Sequence, residues 1–134
     1  MDEDLIAKYV NDLVSLLPRL DPRELVISYD HDSDTLMVHL YGRGIPGVSV
    51  PVADGWMLRL NRETDELIGI QIENLLANAA RRQPRLLRVL DAAELRGITP
   101  DEIDRVRREV DAPTPEDALR LVAESFPTLA LVAG

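Results

Sequence analysis

ELVISYDHDSDTLMVHLY, residues 24–41, decides the fold. Its apolar residues recur at every second position, the period of a strand with one buried face. Leu25 to Tyr29 reads as one strand and Thr35 to Tyr41 as a second. Between them Asp30-His31-Asp32-Ser33-Asp34 has the composition of a tight turn, because Asp and Ser side chains cap local backbone groups. The next stretch, Gly42-Arg43-Gly44-Ile45-Pro46-Gly47, is too rich in Gly and Pro for a central strand. Val48 to Val52 predicts a short edge strand. Residues 56–73, WMLRLNRETDELIGIQIE, predict another hairpin, Trp56 to Asn61 and Leu67 to Glu73, turning through Arg62 to Glu66.

Alternation also assigns faces. Ile27, Tyr29, Leu36, Val38, Leu40, Trp56, Leu58, Leu60, Ile68, Ile70 and Ile72 make a strongly apolar face, which helices must cover. The opposite face carries Ser28, Met37, His39, Tyr41, Met57, Arg59, Gly69 and Gln71. It is mixed in polarity and suits solvent or an interface.

Outward from the strands the period becomes helical. Residues 3–17 place Leu5, Ile6, Tyr9, Val10, Leu13, Val14, Leu16 and Leu17 at helical spacing, and Pro18 and Pro22 mark the end of that helix. After Asn74, Leu75 to Arg82 and Arg85 to Leu95 predict two helices broken at Pro84. Thr99-Pro100-Asp101-Glu102 is a complete capping box, and Thr114-Pro115-Glu116-Asp117 nearly repeats it; they open helices of about 99–111 and 114–125. Pro127 to Gly134 is apolar and unpatterned. The expected fold is α+β: an N-terminal helix, an antiparallel β-meander of four or five strands, and a C-terminal group of three or four helices. The chain of 134 residues is expected to form a single domain. Within it, residues 1–23 hold the N-terminal helix, 24–74 the meander core and 75–134 a helical extension.

Tyr29-Asp30-x-x-x-Asp34-x-Leu36-x-Val38 resembles the opening motif of the YuzE-like family of small bacterial proteins, a domain of unknown function. Asp54-Gly55-Trp56-x-Leu58 and the hairpin end Leu67-Ile68-Gly69-Ile70-Gln71-Ile72-Glu73 follow in the same order and spacing. The resemblance covers residues 25–75. It implies a compact β-meander followed by a helix, and it brings no established catalytic residues. The Gly42–Ala53 connection is longer than the family suggests, and the terminal helices lie outside the resemblance.

Composition narrows the function classes. Hydrophobic residues are 46% and charged residues 29%, ordinary for a folded soluble protein. No cysteine is present, so no disulfide scaffold or thiol chemistry is indicated. The acidic start Met1-Asp2-Glu3-Asp4 is unlike a secretory or transit peptide, and no apolar run approaches a membrane span, so a cytoplasmic protein is expected. The net charge is −9; residues 1–74 hold 6 basic and 14 acidic side chains. That balance repels phosphate backbones and argues against nucleic acid as a partner. The basic cluster Arg81, Arg82, Arg85 and Arg88 reads as a solvated helix end. Trp56, Tyr29 and Phe126 are too scattered for a base-stacking platform and read as core.

Two motifs tempt and fail. Asp30, Asp32 and Asp34 have the 1-3-5 spacing of a calcium loop, but Thr35 and Tyr41 stand where Gly and a bidentate Glu are required. Gly42-x-Gly44-x-x-Gly47 matches a dinucleotide fingerprint, yet strand-like Val48-Ser49-Val50-Pro51 follows it in place of the helix that would hold the pyrophosphate. No Ser carries a nucleophile motif, and no second in-sheet His pairs with His39 for a metal.

The candidate ligand-binding residues are therefore His39, Arg59, Tyr41, Gln71 and Ser28, on the mixed face. No catalytic residue, metal or cofactor is indicated. The expected function is a non-enzymatic protein–protein interaction or oligomerisation module, a homodimer. The alternatives are an antitoxin-like or regulatory acidic partner of a basic protein, and a small polar ligand-binding protein using the His39/Arg59 sheet face.

Overall fold

The computed structural model describes residues 3–21, 23–96 and 114–125. Phe126, the expected helix over about 99–111 and the tail 127–134 lie outside them. Helix α1 (Glu3–Leu16) leads into a 3-10 turn (Leu17–Arg19) and then the strands β1 (Val26–Asp30), β2 (Thr35–His39), β3 (Gly47–Ala53), β4 (Trp56–Asn61) and β5 (Leu67–Glu73). These five form the antiparallel sheet of an α+β fold.

The sheet is not a meander. Its order is β3-β4-β5-β2-β1-β6, so β2 through β5 form a Greek key in which β2 lies beside β5. The Gly- and Pro-rich segment 40–46 is what makes this order: it carries the chain past β5 and β4, about 14 Å at three inter-strand spacings, to the outer side of β4. A second departure lies at the other edge. The expected helix over Arg85 to Leu95 is a 3-10 helix (Pro84–Ala92), and the chain then extends as β6 (Glu94–Arg96), parallel to β1. The helix expected over Leu75 to Arg82 starts as a π-wound turn (Leu75–Ala79) before a short α2 (Ala80–Arg82).

The third departure is a bulge. Arg59 pairs with Gly69, but the next residue, Leu60, pairs with Leu67. Ile68 is the extra residue; it is buried beside His39 and Arg59 on the mixed face, outside the core cluster. Leu67 takes its place over the helices. A second register shift between Pro51 and Ala53 leaves Val52 unpaired in β3.

The other ten residues assigned to the apolar face all lie in one core cluster. Tyr9 and Leu13 of α1, Leu75 and Ala79 of the π-turn, Leu86, Val89 and Leu90 of the 3-10 helix, and Leu119 and Val122 of α3 (Pro115–Glu124) join them. Helices therefore cover one face of the sheet. The α3 cap forms as expected: Asp117 N–H donates to Thr114 Oγ1 at 3.1 Å. Among the described residues, no helix is long and apolar enough to cross a membrane.

Candidate functional site

The Asp-rich turn is a structural hub. Asp34 adopts a left-handed conformation, φ 51°, which Asp tolerates better than most residues. Its Oδ1 accepts from the Tyr29 hydroxyl at 2.6 Å and from Leu76 N–H at 2.9 Å, and its Oδ2 accepts from Ala77 N–H at 3.0 Å. Its carbonyl accepts from Leu75 N–H at 3.0 Å. One residue thus satisfies the first amides of the π-turn, groups that no intrahelical bond can reach. Tyr29 is fully buried; burial first, then the Asp34 bond, push its hydroxyl far above the ordinary phenol range. Asp30 Oδ1 meanwhile accepts from Asp32 N–H. Among the described residues, no group of three or more His, Cys, Asp or Glu could hold a metal ion.

The mixed face is ordered in rows by the strand register. Ser49, Arg59, Gly69, His39 and Val26 lie side by side across β3, β4, β5, β2 and β1. Pro51, Met57, Gln71, Met37 and Ser28 form the next row, with Glu94 of β6 beside Ser28. Glu73, Thr35 and Asp30 form the third. Met37 and Met57 are half-buried and stand outside the core cluster and its margin. A chain of hydrogen bonds crosses the rows: Arg59 Nη1 donates to Ser49 Oγ at 2.8 Å, Ser49 Oγ to Gln71 Oε1 at 3.3 Å, and Gln71 Nε2 to Glu73 Oε1 at 3.1 Å.

His39 and Arg59 come together as expected. With Gly42, Gly44, Ile45, Ile68 and Gly69 they line a pocket of about 120 Å³, roofed by the loop that crosses to β3. Arg43 of that loop pairs with Glu94. Gln71 and Ser28 share the face but lie in the next row, outside the pocket. Tyr41 does not join them. The β2 ladder ends at His39, and Tyr41 packs at the margin of the core, lining a separate open recess of about 500 Å³ with Tyr9, Asp12 and Arg19. Burial, then Glu66 and Glu24, raise its hydroxyl above the ordinary value. Ile45 and Ile68 were not among the expected site residues. The hint for Ile68 is Gly69, since a glycine inside a strand often marks a bulge.

Burial lowers the His39 imidazole below its ordinary value of 6.5, and the nearby Arg43 and Arg59 cations lower it further. The folded protein therefore binds a proton at His39 less readily than the unfolded chain. That contribution to stability is present above pH 6.5 and is lost as the pH falls through the folded value. A pH series of urea midpoints is expected to decline below neutrality in the wild type and to decline less in His39→Gln; identical declines would remove His39 as the cause.

The chain matches no protein-family model, no curated protein and no solved structure.

Proposed function

We propose that the protein is a non-enzymatic interaction module that pairs with a second copy of itself through the mixed face of the sheet. What supports this reading is one observation: no described helix covers that face, which carries the Arg59 guanidinium toward one end of its strands and Glu73 and Asp30 at the other. Arg59 and His39 stand at the loop end and Glu73 and Asp30 at the other; Pro51, Met57, Gln71, Met37 and Ser28 lie between, with Glu94 beside Ser28 and paired to Arg43. A two-fold axis running across the strands at the level of Met57 and Met37 lays the basic end of one copy over the acidic end of the other. It also brings the flexible methionines together. Lateral pairing of strand edges is the weaker route, because edge strand β3 carries Pro51 and the bulge at Val52, two devices that blunt an edge.

Size sets the strength. The sheet is about 24 Å wide and about 17 Å along a five-residue strand, so each copy offers roughly 400 Å². A standard interface uses about 800 Å² per partner. The pairing is accordingly weak and reversible. Kinship with the YuzE-like proteins belongs to the same proposal; it is supported by the bond between Tyr29 and Asp34, two residues of the shared motif.

Charge exchange tests the pairing. Arg59→Glu or Glu73→Arg alone is expected to weaken self-association about tenfold, and the double variant to restore much of it. Single variants that associate like the wild type would overturn the reading.

A further inference from the structure

We propose that the pocket between His39, Arg59 and the Gly42–Ile45 turn binds a small oxyanion of the size of inorganic phosphate or acetate. At about 120 Å³ it has room for about four water molecules at ~30 Å³ each, which limits the ligand to a few heavy atoms.

The lining selects for negative charge. It contains a guanidinium, an imidazole, three glycines and two isoleucines, and no acidic residue. Arg59 is half-buried. Its hydrogen-bond partner among the described residues is the neutral Ser49 hydroxyl, and no described carboxylate pairs with it. In a chain of net charge −9, this guanidinium is left available to an anion from solution. The guanidinium fork suits an oxyanion's two oxygens.

The glycines keep the site open. Gly42 and Gly44 have φ of 79° and 91°, values that glycine adopts readily. Nothing lies within 4 Å of where a Cβ on Gly44 would stand. Ile45 and Ile68 supply apolar walls that reduce screening of the charge.

His39 reports on occupancy. The charged groups facing it are Arg43 from the crossing loop and Arg59 from β4. A bound anion offsets both, so its binding raises the imidazole pKa. His31, in the exposed turn at the far end of β2, serves as the internal control.

The experiment is an NMR titration of the two histidine rings with inorganic phosphate at constant ionic strength, with acetate and chloride in parallel. Saturable shifts at His39 but not His31 are expected, with half-saturation at about 1–10 mM. Arg59→Gln is expected to weaken the response at least tenfold, and Arg59→Lys less. A response to phosphate alone, or to phosphate and acetate alike, upholds the site. A response that chloride reproduces, or that His31 shares equally, overturns it. The site does not require pairing, which would compete for Arg59: Glu73→Arg, which weakens association, is expected to leave the phosphate response at least as strong, and loss of the response in this variant would overturn that independence.

Discussion

Replacing Asp34 by alanine is expected to remove about 3 kcal/mol of stability, since hydrogen bonds to a charged group contribute about 1.5–3 kcal/mol and an orphaned buried donor costs about 1–3 kcal/mol. The carboxylate holds the Tyr29 hydroxyl and the amides of Leu76 and Ala77 together. Tyr29 is fully buried, so its hydroxyl has no ready replacement from water. Alanine also fits the left-handed backbone at this position less well than aspartate. In thermal unfolding the loss corresponds to roughly 10 °C in Tm for a domain of this size. Tyr29→Phe, which removes one bond and leaves the amides satisfied, is expected to cost about 1 kcal/mol. Denaturation by urea measures both. An Asp34→Ala protein within about 0.5 kcal/mol of wild type would mean that the turn does not anchor the following helix.

Gly69→Ala is expected to be nearly as damaging. A Cβ at this position would stand 2.4 Å from the Val38 carbonyl oxygen and 3.4 Å from Arg59 Cβ. The first neighbour is backbone of β2 in the middle of the sheet, and it cannot swing aside as a side chain would. Relief requires β2 and β5 to separate where His39 pairs with Gly69, so the cost falls at the upper end of overpacking, about 3 kcal/mol. The urea midpoint should fall with little change in slope. A midpoint like that of the wild type would show that the bulge adjusts freely.

How far the residues reveal the fold depends on the range over which each signal acts. Alternation is local, and it identified the strands and nearly all of the core face: Leu36, Val38, Leu58 and Ile70 are buried as their spacing predicts. It failed at Ile68 because Ile68, Ile70 and Ile72 keep a perfect period on paper. The bulge moves Ile68 to the other face, and only Gly69 signals it. Strand order was not legible, because a pattern within a strand does not name its neighbours. The length of the segment from Gly42 to Gly47 was the sole sign that the chain crosses the sheet. Glu94–Arg96 is too short for a period of any kind, so β6 read as the end of a helix.

The candidate site was legible in its centre and not at its rim. His39 and Arg59 share a face through simple parity, and they do line one pocket. Tyr41 has the same parity, but it lies past the last paired residue of β2, where parity no longer governs direction. Asp34 shows the opposite failure. Its composition reads as local turn chemistry, while its side chain acts across more than forty residues on Leu76 and Ala77. Long-range roles of that kind leave no periodic trace.

Pairing through the open sheet face is the claim on which the functional reading stands. Sedimentation equilibrium from about 10 µM to about 1 mM spans the affinity that so small an interface permits. The mass is expected to rise with concentration from 15.0 kDa toward twice that value. A mass of 15.0 kDa across the whole range would contradict it.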